Sequence, residues 1–213
     1  VGAGAAYCGA RVMVTMKQVG LNVAADPLMS LEYIGVKGGM VILVADDPGP
    51  ISSQTEQDTR HFSRFSKLPC FDPSTVQEAY EMIQDAFALS EKYNTPVFFR
   101  STTRVSHGYA DIKVKDEVEY KAIRPEGFIK DTKRWVIFPK LSYQAHKNIE
   151  ARNKELSKAF SDYDKNLLIN KDSKDFPKRG IATGGFSYTY VTEALRSLGR
   201  VPLLKVSTPH PFP

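Results

Sequence analysis

Six consecutive apolar residues, MVILVA at 40–45, run straight into Asp46-Asp47-Pro48-Gly49. The run lacks the alternation of a strand with one wet face, so a strand here must be covered on both sides. That is the pattern of a parallel strand inside an α/β sheet. Pro48 cannot donate to a ladder and Gly49 permits a turn, so the strand delivers the chain to a polar loop.

The rest of residues 1–110 alternates in the same sense. Residues 3–11 are small and suit a closely packed helix, and 12–15 form a short β-type run. Residues 21–33 are amphipathic but interrupted at Pro27, which predicts two short helices around a kink. A helical composition over 54–67 leads to a short strand at 69–71. Ser74 reads as an N-cap with Gln77 three residues on as a capping box. Ala79, Met82, Ile83, Ala86, Phe87 and Leu89 then hold helical spacing as far as Tyr93. Asn94-Thr95-Pro96 stops that helix, and Val97-Phe98-Phe99 starts another strand. Strands separated by helices predict right-handed βαβ units and a parallel sheet, so the class is α/β.

Residues 111–179 break the rhythm with a charged segment that contains Trp135 and a long polar helix over 143–163, a linker or helical excursion. From Arg179 a strand ends on Gly184-Gly185, a helix follows over 188–198, and a strand occupies 201–206, which predicts the start of a second α/β unit at 180–213.

At 213 residues the chain holds one large domain, or one domain and part of another. Its apolar runs are too short to span a bilayer, and no basic leader precedes an apolar segment, so the expectation is a cytoplasmic protein with no membrane partner. Cys8 and Cys70 stand far apart without metal-ligand spacing and read as free thiols, with no metal site. The net charge of +5 is concentrated in residues 111–180, where seventeen Lys/Arg are interleaved with twelve Asp/Glu. A nucleic-acid face clusters its cations without such carboxylates, so no nucleic-acid partner is expected. The first six residues read as the interior of a helix and the last eight leave a strand for a turn, the expectation for a fragment of a longer polypeptide.

Ligands in open α/β sheets sit outside the carboxyl ends of the strands. Residues 15–22 and 46–58 leave such ends. Lys17, Gln18 and Asn22 lie in a turn between two buried-looking elements, either by turn chemistry or because that turn faces a ligand. Residues 52–58 are dense in hydrogen-bonding side chains and equally read as a capped helix start. Arg64 follows Arg60 and His61 and suits either a carboxylate ligand or a surface ion pair. Gly2, Gly4 and Gly9 lack the G-x-G-x-x-G spacing and read as helix packing. Gly184-Gly185 suits either a phosphate at a helix N-terminus or a tight strand-to-helix turn.

Three blocks carry a resemblance: VTMKQVGLNVAADPLMSLEYIGVKGGMVILVADDPG, then SSQTEQDTRHFSRFSKLPCFDPSTVQEA, then TPVFFRSTTRVSHG. In this order and spacing they resemble the thiamine-diphosphate-dependent 2-oxoacid:ferredoxin oxidoreductases, in the branch that uses arylpyruvates. The resemblance covers residues 1 to about 110 as a thiamine-diphosphate pyrimidine-binding domain, incomplete at its N-terminus. Residues 180–213 resemble the opening of a transketolase-C-terminal-like domain, and 111–179 match no motif. It implies an enzyme that oxidatively decarboxylates indolepyruvate or phenylpyruvate with coenzyme A, releasing CO2 and reducing ferredoxin. It implies thiamine diphosphate with Mg, iron–sulfur clusters outside this stretch, a β subunit, and a homo- or hetero-oligomer. Thr15, Met16, Lys17, Gln18, Val19 and Asn22 are implied to line the cofactor and substrate pocket, with Lys17 or Arg64 on the substrate carboxylate. The glutamate that activates the pyrimidine is implied upstream of Val1. Gln18 stands where the family pattern has a histidine, so no proton-transfer role carries over to it. A sister enzyme for another 2-oxoacid, or a non-catalytic assembly subunit of the same fold, are the alternatives.

Overall fold

A computed structural model describes residues 1–120, 123–173 and 178–213; residues 121–122 and 174–177 of the charged segment lie outside the described residues. The first sheet contains β1 (Val12–Lys17), β2 (Met40–Asp46), β3 (Cys70–Phe71) and β4 (Val97–Thr102), all parallel, in the order β1-β2-β4-β3. The apolar run is the interior strand β2, with Val41 opposite Met13 on one side and Val97 on the other.

One face of the sheet packs against α1 (Gly2–Tyr7), α2 (Gln18–Val23), α3 (Ala25–Ile34) and α4 (Thr59–Ser66), burying Leu21, Leu28, Leu31, Met40, Ile42, Val44 and Phe98. The other face packs against α5 (Val76–Tyr93), burying Val41, Phe71, Met82, Ala86 and Phe99. Each fully buried side chain of this size contributes on the order of 1.5–3 kcal/mol.

Several local expectations shift. The break in residues 21–33 falls at Ala24, which ends α2 and caps α3, and Pro27 sits inside the first turn of α3. A proline there costs nothing because first-turn N–H groups have no helical partner, so α3 runs unbroken through Pro27 and the two short helices part three residues earlier. The first helix ends at Tyr7 and not Arg11, at a turn completed by Gly9 with φ 89°. Helix α4 begins at Thr59, capped by Asp58, and residues 54–58 form its lead-in loop. The cap of α5 is Thr75, whose hydroxyl accepts from Glu78 N, while the Glu78 carboxylate accepts from Ser74 N. The cap is therefore one residue later than Ser74, and Glu78 reaches back to the residue before the cap, so the reciprocal pair expected for Ser74/Gln77 does not form.

After α6 (Thr103–Ser106) and α7 (Thr132–Trp135), the charged segment contains α8 (Pro139–Ser161). Ile149, Leu156 and Phe160 of this helix are buried, and the last two complete the core under α5. Their spacing places one narrow apolar stripe on an otherwise charged helix, which mean polarity conceals.

The second sheet holds β5 (Leu167–Ile169), β6 (Ile181–Gly184) and β7 (Leu203–Val206) in the order β5-β7-β6. Strands β6 and β7 are parallel and joined by α9 (Ser187–Leu198), the predicted strand–helix–strand unit; β5 adds an antiparallel edge from before residue 180. The two sheets are tied together by Asp72 N donating to Ser207 O and Cys70 N donating to His210 O, each at 2.8 Å. Lys205, 2 % exposed, reaches across to the Glu78 carboxylate and lies 4.8 Å from the Tyr188 ring centroid.

Candidate functional site

The carboxyl ends of β2 and β4 carry a buried chain of charges. Asp46 closes β2, and its carboxylate accepts from Thr59 N (3.0 Å), Thr59 Oγ1 (2.5 Å) and Arg100 Nε (2.6 Å). Arg100, on β4, also donates through Nη1 to both Asp72 oxygens at 3.1 Å and lies 3.6 Å from Asp58 Oδ1. Asp58 in turn accepts from Arg60 through Nε and Nη2. Arg60, Asp58 and Arg100 thus alternate in sign, and Arg100 ends the series on two carboxylates, Asp72 and Asp46. Arg100, Asp46 and Asp72 are at most 4 % exposed.

Burial works against the Arg100 charge, but the Asp72, Asp46 and Asp58 carboxylates outweigh it and hold the guanidinium more firmly protonated than usual. Burial also disfavours the Asp58 anion, which the Arg60 hydrogen bonds and the Arg100 charge more than offset, lowering its pKa. Asp47 roots the loop beyond β2: its Oδ2 accepts from Ser52 N and Ser53 N and its Oδ1 from Thr103 Oγ1. The Ser52 N–H and the Thr103 hydroxyl pull its pKa down.

Between α2 and α4 lies a cavity of about 380 Å³ lined by Gln18, Leu21, Gln57, Asp58, His61 and the Phe62/Phe65 pair. The two rings meet edge to face at 6.2 Å. Gln18 is the first residue of α2, directly after the extended Lys17, and is 1 % exposed. Its Nε2 donates to Thr55 O at 3.0 Å, while its Oε1 is buried without a partner. A buried acceptor left unpaired costs about 1–3 kcal/mol, so the position asks for a donor. A flat heteroaromatic ring with an exocyclic amino group matches this set: an acceptor for the amino group, aromatic walls and a carboxylate rim.

The structure separates the sequence-predicted residues. Gln18 faces the cavity. Met16 points into the apolar side of the sheet beside Val14 and Ile42. Thr15 and Lys17 are exposed, the alternate residues of β1 turned to its open face. Val19 and Asn22 are exposed on α2, and Arg64 is exposed on α4. Asp58, Phe62, Phe65, Arg100 and Asp72 were not singled out by the sequence. The one local signal was Asp58 as the cap of an amphipathic helix that carries the two phenylalanines on it.

Among the described residues no group of three or more His, Cys, Asp or Glu could hold a metal ion, and no helix is long and apolar enough to cross a membrane. Cys8 and Cys70 are free thiols; burial raises the pKa of Cys70.

Comparison with known proteins places this arrangement. Residues 1–165 match the family described as pyruvate flavodoxin/ferredoxin oxidoreductase, thiamine diphosphate-binding, and the chain belongs to that family. It is 42 % identical over 215 residues to indolepyruvate oxidoreductase subunit IorA of Methanothermobacter thermautotrophicus, covering 100 % of this chain and 34 % of the relative. The subunit of the same name from Pyrococcus abyssi is 40 % identical, covering 98 % of this chain and 33 % of the relative. The chain thus spans about a third of the length of these curated relatives. In fold it resembles a 2-oxoglutarate:ferredoxin oxidoreductase from Magnetococcus marinus, solved with 2-oxoglutarate, coenzyme A and succinyl-CoA bound. The TM-score is 0.64 at 16 % identity, covering 100 % of this chain and 44 % of the other.

Proposed function

We propose that this chain holds the pyrimidine end of thiamine diphosphate in an enzyme that oxidatively decarboxylates arylpyruvates, indolepyruvate and phenylpyruvate, with coenzyme A. The products are the aryl-acetyl-CoA and CO2, with the electrons passing through iron–sulfur clusters to ferredoxin. The reading includes a β subunit and a cytoplasmic complex, and it rests for substrate on the names of the relatives. The observation that carries it is the buried, unpaired Gln18 Oε1 beside the Phe62/Phe65 walls.

Bound thiamine diphosphate supplies a carbanion nucleophile and an electron sink. The protein's own residues do the rest. Gln18 Oε1 would accept from the ring amino group and so orient the ring, while Thr55 O holds the amide in place. Phe62, packed against the core, and the exposed Phe65 would offer the ring an aromatic wall. Asp58 keeps its charge beside the cavity because Arg60 and Arg100 flank it. The reading is confined to the pyrimidine end, with Mg and the diphosphate assigned to the part of the enzyme beyond residue 213. Lys17, on the open face of β1 with Thr15, and Arg64, on α4, remain candidates for the substrate carboxylate in the assembled complex, and Met16, Val19 and Asn22 for its surroundings. In this reading residues 1–110 are the pyrimidine-binding unit, 111–179 the connecting segment and 180–213 the start of the next unit.

The test uses the complete complex purified without oxygen, with dye reduction measured on a panel of 2-oxoacids plus coenzyme A. Turnover of indolepyruvate or phenylpyruvate well above pyruvate, lost when thiamine diphosphate is omitted, is the expected result. Activity confined to pyruvate or 2-oxoglutarate would replace the substrate and keep the cofactor. Absence of activity on every acid with cofactor bound would turn the reading to an assembly subunit.

A further inference from the structure

A second cavity, of about 260 Å³, opens where the two sheets meet, at the first turn of α9. Its walls include Ile51, Thr102, Arg104, Phe186, Ser187 and Tyr190. Helix α9 begins without any side-chain cap and has no acidic residue in its first turn; Tyr188 N and Thr189 N instead donate to Gly185 O and Phe186 O, each at 3.1 Å. Thr102, at the end of β4, is 3 % exposed, and its hydroxyl is buried with no hydrogen-bond partner. Arg104 is exposed and makes no ion pair among the described residues. Phe186 and Tyr190 stack edge to face at 5.3 Å and form the apolar wall with Ile51.

Gly184 and Gly185 just ahead of α9 are explained by packing. A Cβ on Gly184 would lie 2.1 Å from Val206 O, and one on Gly185, at φ 53°, would lie 2.7 Å from Asp72 Oδ2. The glycines therefore build the turn, and the question of a ligand passes to the groups beyond it. The neighbouring carboxylates are engaged elsewhere: Asp72 with Arg100, and Asp47 with Ser52 N, Ser53 N and Thr103 Oγ1. What remains unpaired around the cavity, among the described residues, is the Arg104 guanidinium and the hydroxyls of Thr102 and of Ser187, the first residue of α9.

We propose that this cavity binds an organic phosphate with a small apolar body, the phosphate on the side chains of Arg104, Thr102 and Ser187, the body against Ile51, Phe186 and Tyr190. Donors from three directions suit the three terminal oxygens of a phosphate monoester better than the two in-plane oxygens of a carboxylate. The site is separate from the α2/α4 cavity and does not depend on the function proposed for that cavity.

The experiment titrates phenyl phosphate by calorimetry into the complete complex saturated with thiamine diphosphate, so that the cofactor site is closed to the probe. Saturable binding is expected, with inorganic phosphate weaker. Arg104→Gln and Thr102→Val are expected to weaken phenyl phosphate about tenfold and fivefold, the loss of a charged and a neutral hydrogen bond, while Thr102→Ser retains it. Arg104 is exposed, so its variant is expected to fold. No saturable binding up to about 10 mM (below about 3 kcal/mol of affinity), or unchanged affinity in Arg104→Gln, would overturn the proposal. Phenylacetate binding as tightly as phenyl phosphate would overturn the phosphate assignment. Dye reduction on the same preparations reports the proposed function separately, so either result can fail alone.

Discussion

At the scale of single residues, Gln18 and Arg100 show two different uses of buried polarity. The amide of Gln18 is held by one hydrogen bond and left open at its oxygen. Gln18→Leu removes that orphaned acceptor and the bond to Thr55 O together at nearly constant size, so the gain and the loss offset and the net change in stability is expected to be small. The same change is expected to weaken thiamine diphosphate about tenfold, the worth of one hydrogen bond. Cofactor titration of dye reduction beside thermal melting separates the two effects, and an unchanged cofactor affinity would count against the assigned role. Arg100 has no open valence of this kind. Arg100→Met leaves Asp46 and Asp72 buried without a counter-charge, an expected loss of about 3–5 kcal/mol in unfolding free energy.

Two titrating residues act in opposite directions. Burial beneath α8 raises the Glu32 carboxyl from its ordinary 4.5 to about 7, with Arg152 and Lys67 pulling the other way. The folded state then holds a proton that the unfolded chain releases, so this contribution to stability is lost as pH rises from 4.5 to 7. Burial, reinforced by Arg64, Lys67 and Arg152, lowers His210 from 6.5 to about 4, so its contribution is present above 6.5 and lost as pH falls to 4. Between pH 4.5 and 6.5 the two slopes oppose. Glu32→Gln is therefore expected to gain stability across that window and His210→Gln to lose it, in urea melts at fixed intervals of pH. Parallel curves for the two variants would dismiss both assignments.

At the scale of elements, the legible parts were those whose signal is local. The run at 40–45 gave an interior parallel strand, and the spacing from Ala79 to Leu89 gave α5, because covered strands and amphipathic helices print their environment on neighbouring residues. Helix starts were less legible. Proline at Pro27 breaks a helix interior but not a first turn, and Ser74 and Thr75 are both good caps that only the backbone distinguishes. Thr75→Ala is expected to cost about 1 kcal/mol, and Ser74→Ala, whose hydroxyl is buried without a partner, far less; equal losses in denaturant melts would contradict the cap assignment. The cavity at α2 and α4 was legible only at Gln18. Its other walls depend on which helix face turns inward, and Arg100 meets Asp46 across 54 residues of sequence.

At the scale of the whole molecule, the two sheets are joined by few but buried contacts. Lys205 and Glu78 form one of them, with Tyr188 over the ammonium. Lys205→Ala leaves Glu78 facing the interface alone and is expected to loosen the second sheet, read as faster protease cleavage between residues 161 and 181. Lys205→Met with Glu78→Gln is expected to recover most of the protection, because no net charge then remains to be desolvated.

The linked charges described at the ends of β2 and β4 begin at the wall of one cavity and end against the turn that seats α9. Asp58 lines the α2/α4 cavity, Arg100 touches Asp58 and Asp72, and Asp72 lies against Gly185. Charges in contact are not repositioned independently, and any coupling they carry between occupancy at one end and docking at the other is reciprocal, the same factor in both directions. Gly185→Ala, which forces a methyl onto Asp72, thus carries a consequence far from its own turn: a weaker hold on the cofactor, by the factor that the cofactor in turn restores to the seating of α9.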